Sequence, residues 1–354
     1  MDSDEKIIGK NYDIKIYFCF IKYKKILAIK LKFFILFFLL FFTFFLTFFF
    51  INFYKNKIQF KKFDINFKYE NYQKQIITDK MLKQANWYLY KDEQYFINGI
   101  IRKHRPKKCL EIGVAHGGSA VLILNAIKDI KDSFLISLDL NTKLFDNRNI
   151  STGYIVNKFF PELKTNWKLF TGQLPHKFLE ILNIKFDFLF IDTSHYTPGE
   201  FINIIEAMPF LNDNAIIVIH DITWHYRPIC SRIIKEIKFT PTQIYLMTSL
   251  VGKKVIFHSD EPIIGNIGAV FLEKNQENYY INYFLLLLSF WEEMLTENQI
   301  NDLKIFIKKY YKKEVYLNIF NQAINLNRMY ISKYKKVLAE FYKNGNQKIN
   351  LNSN

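Results

Sequence analysis

Cysteine is nearly absent from this chain. Its 354 residues hold three, Cys19, Cys109 and Cys230. They lie far apart and form no C-x-x-C pair, so neither a disulfide framework nor a zinc site is suggested. That scarcity fits a reducing compartment. Glycine is also scarce, at 12 residues, and no stretch reads G-x-G-x-x-G. The closest approach, Gly113-Val-Ala-His-Gly-Gly118, has Ala115 where the dinucleotide fingerprint needs its second glycine. This speaks against an NAD-dependent oxidoreductase, the competing enzyme reading.

Charge is in excess rather than missing. The net formal charge is +16, and half of it falls in residues 1–75, with 14 Lys and Arg against 6 acids. Residues 76–275 are only mildly basic, at 24 against 20. That distribution fits a membrane surface better than a nucleic-acid groove, so no nucleic-acid partner is expected. Abundant Phe (37) and Tyr (22), with much Lys, Ile and Asn, give a biased composition that accounts for part of the charge.

Residues 1–32 form a basic tail. Phe33 to Ile51 follows, FFILFFLLFFTFFLTFFFI, with no charged residue. Nineteen residues at helical rise nearly cross a hydrocarbon core of about 30 Å, so a single transmembrane helix is expected over 33–51. The run starts late and lacks small residues after it, unlike a cleaved signal peptide. Lysines flank it on both sides, so orientation is weakly specified. Residues 52–75 read as a linker, 76–275 as the main domain and 276–354 as a helical C-terminal extension. Tyr279 to Trp291 is too short to span a bilayer. It is expected to pack on the domain or to pair two subunits in a homo-oligomer.

Within the main domain strands and helices alternate. The pattern predicts a helix from Asp79 to His104, with Trp87, Tyr88, Tyr95 and Phe96 covering the sheet edge or the ligand entrance. Strands are predicted at Lys108–Gly113, Ser133–Asp139, Trp167–Gly172, Phe186–Asp192, Asn214–Asp221, Gln243–Thr248 and Ile267–Leu272. Helices follow at Ser119, Pro175–Leu182, Glu200–Met208 and Pro228–Ile237. Such alternation means a doubly wound α/β domain on a seven-stranded, mostly parallel, Rossmann-like sheet.

The stretch Cys109–Ser119, CLEIGVAHGGS, carries the first chemical signal: a strand, a glycine turn and a helix N-terminus. Free N–H groups there suit a nucleotide-like ligand. Glu111, Gly113, Gly117, Gly118 and Ser119 are the candidate binding residues. Asp139, ending the second strand, is placed for a ribose diol. Asp192 and Asp221 end neighbouring strands and should face one crevice. His195 lies three residues past Asp192, and His220 adjoins Asp221. Carboxylates and imidazoles beside a nucleotide turn suit proton removal, divalent metal binding, or both. His116, His225 and Tyr226 could line the same pocket.

E-x-G-x-x-x-G-G-S, FDFLFIDTSHY and FLNDNAIIVIHDI together resemble the class I S-adenosylmethionine (SAM)-dependent methyltransferases, in the group that includes metal-assisted O-methyltransferases. The resemblance spans roughly residues 78–275. It implies SAM as cofactor, bound by Glu111, Gly113, Gly117, Gly118, Ser119, Asp139 and Asp192. It also implies transfer to a hydroxyl of a glycan, lipid-linked or small-molecule acceptor. Within it Asp192 and Asp221 correspond to ligands of a divalent cation such as Mg²⁺, and His195 to the proton-removing base. This chain departs from the pattern at His220 and Ile222, where related members carry a second acid or Asn. A cytosolic cofactor implies a cytoplasmic catalytic domain. A membrane-anchored scaffold that binds SAM without turnover is the non-enzymatic alternative.

Overall fold

The computed structural model describes residue 81 and residues 89–223, 242–257 and 266–345, with side chains as far as residue 333. The expected membrane helix, the linker, Trp87, Tyr88, His225, Tyr226 and the helix expected at Pro228–Ile237 lie outside the described residues. Among the described residues no helix is long and apolar enough to cross a membrane.

The described chain begins with helix α1 (Lys91–His104). The sheet then builds through β1 (Lys108–Ile112), α2 (Gly118–Ile127), β2 (Phe134–Asp139), α3 (Tyr154–Phe159), β3 (Trp167–Thr171), α4 (Pro175–Leu182), β4 (Phe186–Ile191), α5 (Gly199–Ala207) and β5 (Leu211–Ile219). It closes with α6 (Thr242–Ser249), β6 (Gly252–Ile256) and β7 (Gly268–Leu272). The strand order is β3-β2-β1-β4-β5-β7-β6. Strands β1 to β5 pair in parallel, and β7 runs antiparallel to both β5 and β6.

The order reverses between β1 and β4, and such a switch point leaves a crevice at the carboxyl ends of the strands. Both sheet faces are covered, which is why the strands read as continuous apolar runs. Along β5, Ile217 and Ile219 pack into one core while Ile216 and Val218 pack into the other.

One expected strand is a helix. Residues Gln243–Thr248 lie within α6, and the sixth strand is Gly252–Ile256. The burial of Gln243, Leu246, Met247 and Leu250 follows the three-and-four spacing of a helix face. A six-residue apolar run carries both periods too weakly to separate them. The true sixth strand was hidden by Lys253 and Lys254, the second of which is buried.

The C-terminal extension contributes α7 (Tyr280–Leu285), α8 (Glu297–Tyr310) and α9 (Glu314–Gly345). It packs on the domain: Tyr283, Phe284, Trp291, Ile300, Phe306 and Phe320 join the same core as Ile217 and Leu189. Trp291 is fully buried. Its backbone N–H donates to Asn327 Oδ1 at 2.8 Å and its indole N–H to the Leu287 carbonyl at 2.7 Å.

Candidate active site

The glycine turn is shaped by close approach. Gly113 has φ +90, and a Cβ there would lie 1.8 Å from the backbone oxygen of Asp192. Only glycine lets β1 end so near β4. Gly117, at φ +93, caps the N-terminus of α2 and lies against Gly153. Ala115 also takes a left-handed φ, +44. The backbone N–H groups of Val114 and Ala115 donate to Asp139 Oδ2 at 2.9 and 3.1 Å, and that of Asn141 to Oδ1 at 2.8 Å. Asp139 thus holds the turn in place. A carboxylate has about four acceptor sites, so capacity remains for a ligand.

Glu111 is placed differently from expectation. It is fully buried, and its oxygens accept from the hydroxyls of Ser119 and Ser137, each at 2.5 Å. It braces the turn from below instead of facing the cavity. Burial pushes its carboxyl up to about 7, against the pull of the two serine hydrogen bonds.

A cavity of about 1110 Å³ opens over the strand ends. Gly113, Gly118, Ser119, Asp139, Asp192, His195, His220 and Asp221 all line it, so both groups of residues singled out from the sequence share one space. His116 lines it too, with Nε2 3.4 Å from Asp146 Oδ2; burial lowers its pKa. The connection from Leu140 to Ile155 forms one wall, and Glu293, Met294 and Leu295 of the C-terminal extension form another.

Asp192, His195 and Asp221 each offer a ligand atom, all within 4.8 Å of one another. His195 and Asp221 have left-handed φ values of +59 and +55. Such backbone in non-glycine residues costs about 1–3 kcal/mol and persists where the surroundings enforce it. His195 Nε2 lies 3.1 Å from Asp221 Oδ2 and 3.7 Å from Asp192 Oδ1. Its Nδ1 lies 3.0 Å from Glu200 Oε1. Burial works to lower the His195 pKa, but hydrogen bonds to Asp221 and Glu200 outweigh it and raise it to about 10.

His220 is buried behind the pair. Its Nε2 meets Glu93 Oε2 at 3.1 Å. Its Nδ1 is 3.1 Å from Asp192 Oδ2 and 3.6 Å from Asp221 Oδ2, without the alignment of a hydrogen bond. Burial opposes its charge, yet the Asp192 and Asp221 charges hold its pKa well above the usual histidine value. Asn266 donates to Asp221 Oδ1 at 2.5 Å and to Glu93 Oε1 at 2.9 Å. Burial raises the Asp221 pKa, but the His220 charge and the His195 hydrogen bond outweigh it and hold the carboxyl below its ordinary value.

Glu93, Glu200, Gln243 and Asn266 contact His220, His195 or Asp221 from outside the cavity lining, and no motif in the sequence marks them. Glu93 comes from α1, ahead of the glycine turn, and Asn266 from the approach to β7. A charged or amide residue at a buried helical position was the available signal: Glu93 and Gln94 sit among apolar neighbours, as Glu200 does in α5.

The Mg²⁺ suggested by resemblance does not match this donor set. Mg²⁺ takes oxygen ligands in near-octahedral geometry, whereas here the third converging donor is an imidazole nitrogen. The residue beside Asp221 is also an imidazole, not an acid or amide.

A parallel sheet with one antiparallel strand in seventh place, a glycine turn after β1 and acids ending β2, β4 and β5 define a class I methyltransferase-type fold. The comparisons narrow this. Residues 110–222 match the model of a methyltransferase-domain family.

No curated protein matches the chain. Among solved structures, the Bacillus cereus O-methyltransferase in complex with SAH is 15% identical, with 57% of this chain and 96% of that chain covered and a TM-score of 0.41. TomG from Streptomyces achromogenes, an O-methyltransferase of tomaymycin synthesis in complex with SAM, is 11% identical over 57% and 95%, with a TM-score of 0.41. SAH-bound PaMTH1 from Podospora anserina is 15% identical over 60% and 98%, with a TM-score of 0.40. Likenesses at this level say nothing about what this chain acts on.

Proposed function

We propose that this chain is a SAM-dependent O-methyltransferase acting on a small-molecule, glycan or lipid-linked hydroxyl. One observation carries the reading: a single cavity runs from the glycine turn to Asp192, His195 and Asp221, and at about 1110 Å³ it exceeds the roughly 300–1000 Å³ of a one-ligand pocket. It has room for a methyl donor and an acceptor together.

The residues divide by task. Gly113, Gly118 and Ser119 present a close backbone and the N-terminus of α2, while Asp139 retains acceptor capacity for a ribose diol. These fit SAM, whose sulfonium supplies the methyl: the S–CH₃ bond breaks, an O–CH₃ bond forms, and the hydroxyl proton departs. Asp192, His195 and Asp221 stand where that proton must leave. Met294, Leu295 and Leu174 offer an apolar surface for the body of an acceptor. Holding both reactants in one enclosed space is the largest service a methyl-transfer site provides. The uncharged run Phe33–Ile51 supports attachment to a membrane, by its length and apolarity alone.

Calorimetry on the detergent-purified full chain tests the reading. S-adenosylhomocysteine should bind with one-to-one stoichiometry and NAD⁺ should not. Binding of NAD⁺ without S-adenosylhomocysteine would replace this reading with the oxidoreductase one.

A further inference from the structure

The end of the sheet opposite the cavity carries a band of positive charge. Strand β1 runs from Lys108 at that end to Ile112 beside the cavity, and α1 runs from its cap at Tyr90, which lines the cavity, to His104. Fourteen residues at helical rise set the two ends of α1 about 20 Å apart. Across the join the chain reads Arg102-Lys-His-Arg-Pro-Lys-Lys108, and Lys103, Arg105, Lys107 and Lys108 are exposed.

Tertiary structure extends the band. Phe134 pairs with Lys108, which brings the turn holding the exposed Lys131 beside it. The row Cys109–Phe188–Ile216–Phe271–Lys253 takes four strand-to-strand steps from β1 to the exposed Lys253 on β6. At about 4.8 Å per step the row spans about 19 Å. His104 links its two ends. Its ring is 4.9 Å from that of Phe271, and burial, with the positive charges of Lys103 and Lys253, lowers its pKa.

The acids at this end are engaged elsewhere or too few to cancel the band. Asp187 accepts from the backbone N–H groups of Lys107 and Lys108 at 3.2 and 3.0 Å and from the Asn212 amide at 2.7 Å. Asp129 meets Arg102 at 3.7 Å, Asp132 adjoins Lys131, and the Glu273 charge acts on the buried Lys254. Cations in the last turn of a helix are ordinarily explained by its dipole. That accounts for Lys103 and Arg105, whereas Lys107, Lys108, Lys131 and Lys253 lie on strands and turns.

A band of cations drawn from several segments fits a broad anionic surface. Single-stranded nucleic acid would call for aromatic platforms under its bases. The exposed aromatic side chains among the described residues, Tyr90, Phe145 and Phe290, lie away from this end. The uncharged run Phe33–Ile51, with lysines on both flanks, points to a bilayer as the partner.

We infer that this edge of the sheet docks on anionic lipid headgroups through Lys103, Arg105, Lys107, Lys108, Lys131 and Lys253. The inference deepens the membrane attachment proposed above. The cavity, at the other ends of the strands, then turns away from the bilayer. On the methyl-transfer reading, the acceptor hydroxyl arrives from the aqueous side.

The first test needs neither acceptor nor variant. The full chain is diluted from detergent into vesicles of phosphatidylcholine, or of phosphatidylcholine with phosphatidylglycerol. Lysines are acetylated briefly and read by peptide mass spectrometry. With anionic vesicles Lys103, Lys107, Lys108 and Lys253 should react at least about threefold more slowly than with neutral ones, and about 1 M salt, where the Debye length is about 3 Å, should erase the difference. Lys143 at the cavity and Lys308 on α8 should react alike in both. The triple variant Lys107→Glu, Lys108→Glu, Lys253→Glu should lose the protection of Lys103. Sedimentation of the vesicles reads the attachment separately: a chain that pellets with anionic vesicles alone, its four lysines protected, keeps the docking surface and rejects the anchor. Equal lysine reactivity in the two lipids would overturn the inference, whether or not the chain pellets. So would protection of Lys143 in place of the four lysines, or their protection by a single-stranded oligonucleotide and not by anionic vesicles.

Discussion

Gly113 and Asp192 touch through their backbones. The hydrogen on the Gly113 α-carbon faces the Asp192 carbonyl, and a methyl in its place would stand 1.8 Å from that oxygen. The glycine turn and the first acid of the cluster are therefore set at one distance by the chain itself.

That contact predicts a contrast between two glycines with similar φ. Gly172 has φ +92, and its nearest obstacle to a Cβ is the Thr142 methyl at 3.4 Å. Gly172→Ala should cost only the left-handed strain, about 1–2 kcal/mol. Gly113→Ala adds a backbone collision that no rotamer can relieve, and should cost well over that and remove S-adenosylhomocysteine binding. Thermal unfolding and calorimetry on both variants check this.

Glu111 should make stability fall as pH rises. Its folded pKa of about 7 lies above the ordinary value of 4.5, so the folded state holds the proton more tightly than the unfolded chain. The penalty is absent below about pH 4.5, grows through the interval up to about 7, and reaches at most about 3 kcal/mol above it. Glu111→Gln should abolish this loss and be the more stable protein at pH 8. Urea unfolding of both proteins at pH 5 and pH 8 is the measurement; parallel pH profiles would contradict it.

Thr197 should carry a disproportionate share of the link between the His195 loop and the C-terminal extension. Its hydroxyl donates to the Phe290 carbonyl at 2.6 Å and accepts from the Glu292 N–H at 3.2 Å. Its carbonyl accepts from the N–H groups of Glu292 and Glu293 at 3.0 and 3.1 Å. Thr197→Val keeps the shape and takes the hydroxyl from the Phe290 carbonyl, while the Glu292 N–H keeps the Thr197 carbonyl. A loss of about 1–2 kcal/mol is expected in chemical denaturation.

The Met294→Ala, Leu295→Ala double variant should separate donor from acceptor. Both side chains line the cavity yet lie outside the matched residues 110–222. S-adenosylhomocysteine affinity should stay within about threefold, while transfer of labelled methyl from SAM into cell extract should fall by about tenfold or more. Equal losses in both assays would place the pair in the donor half.

Much of this site could be read from one dimension, for a physical reason. Gly113, Asp139, Asp192, His195 and Asp221 lie at or just past strand ends, and strand ends are marked locally by where an apolar run stops. The alternation of runs also conveyed a doubly wound sheet. What escaped was contact between distant segments. Glu93 meets His220 across 127 positions and Asn266 meets Glu93 across 173, and no spacing rule reports such pairs. Gln243 escaped for another reason: its helix was read as a strand, which hid that its side chain reaches the Glu200 carboxylate at 3.2 Å. The inward placement of Glu111 was also invisible, because the serines that receive it, Ser119 and Ser137, lie on a helix and a neighbouring strand.

Trp291, sealed by Asn327 and continuous with the sheet's own core, means that the described part of the C-terminal extension cannot be treated as a detachable appendage. It shares the folding unit, and through Glu293 to Leu295 it also shapes what can enter. One wall of the cavity is thus drawn from a stretch that lies beyond the last strand of the sheet, so a change there reshapes the cavity while the glycine turn is left as it is.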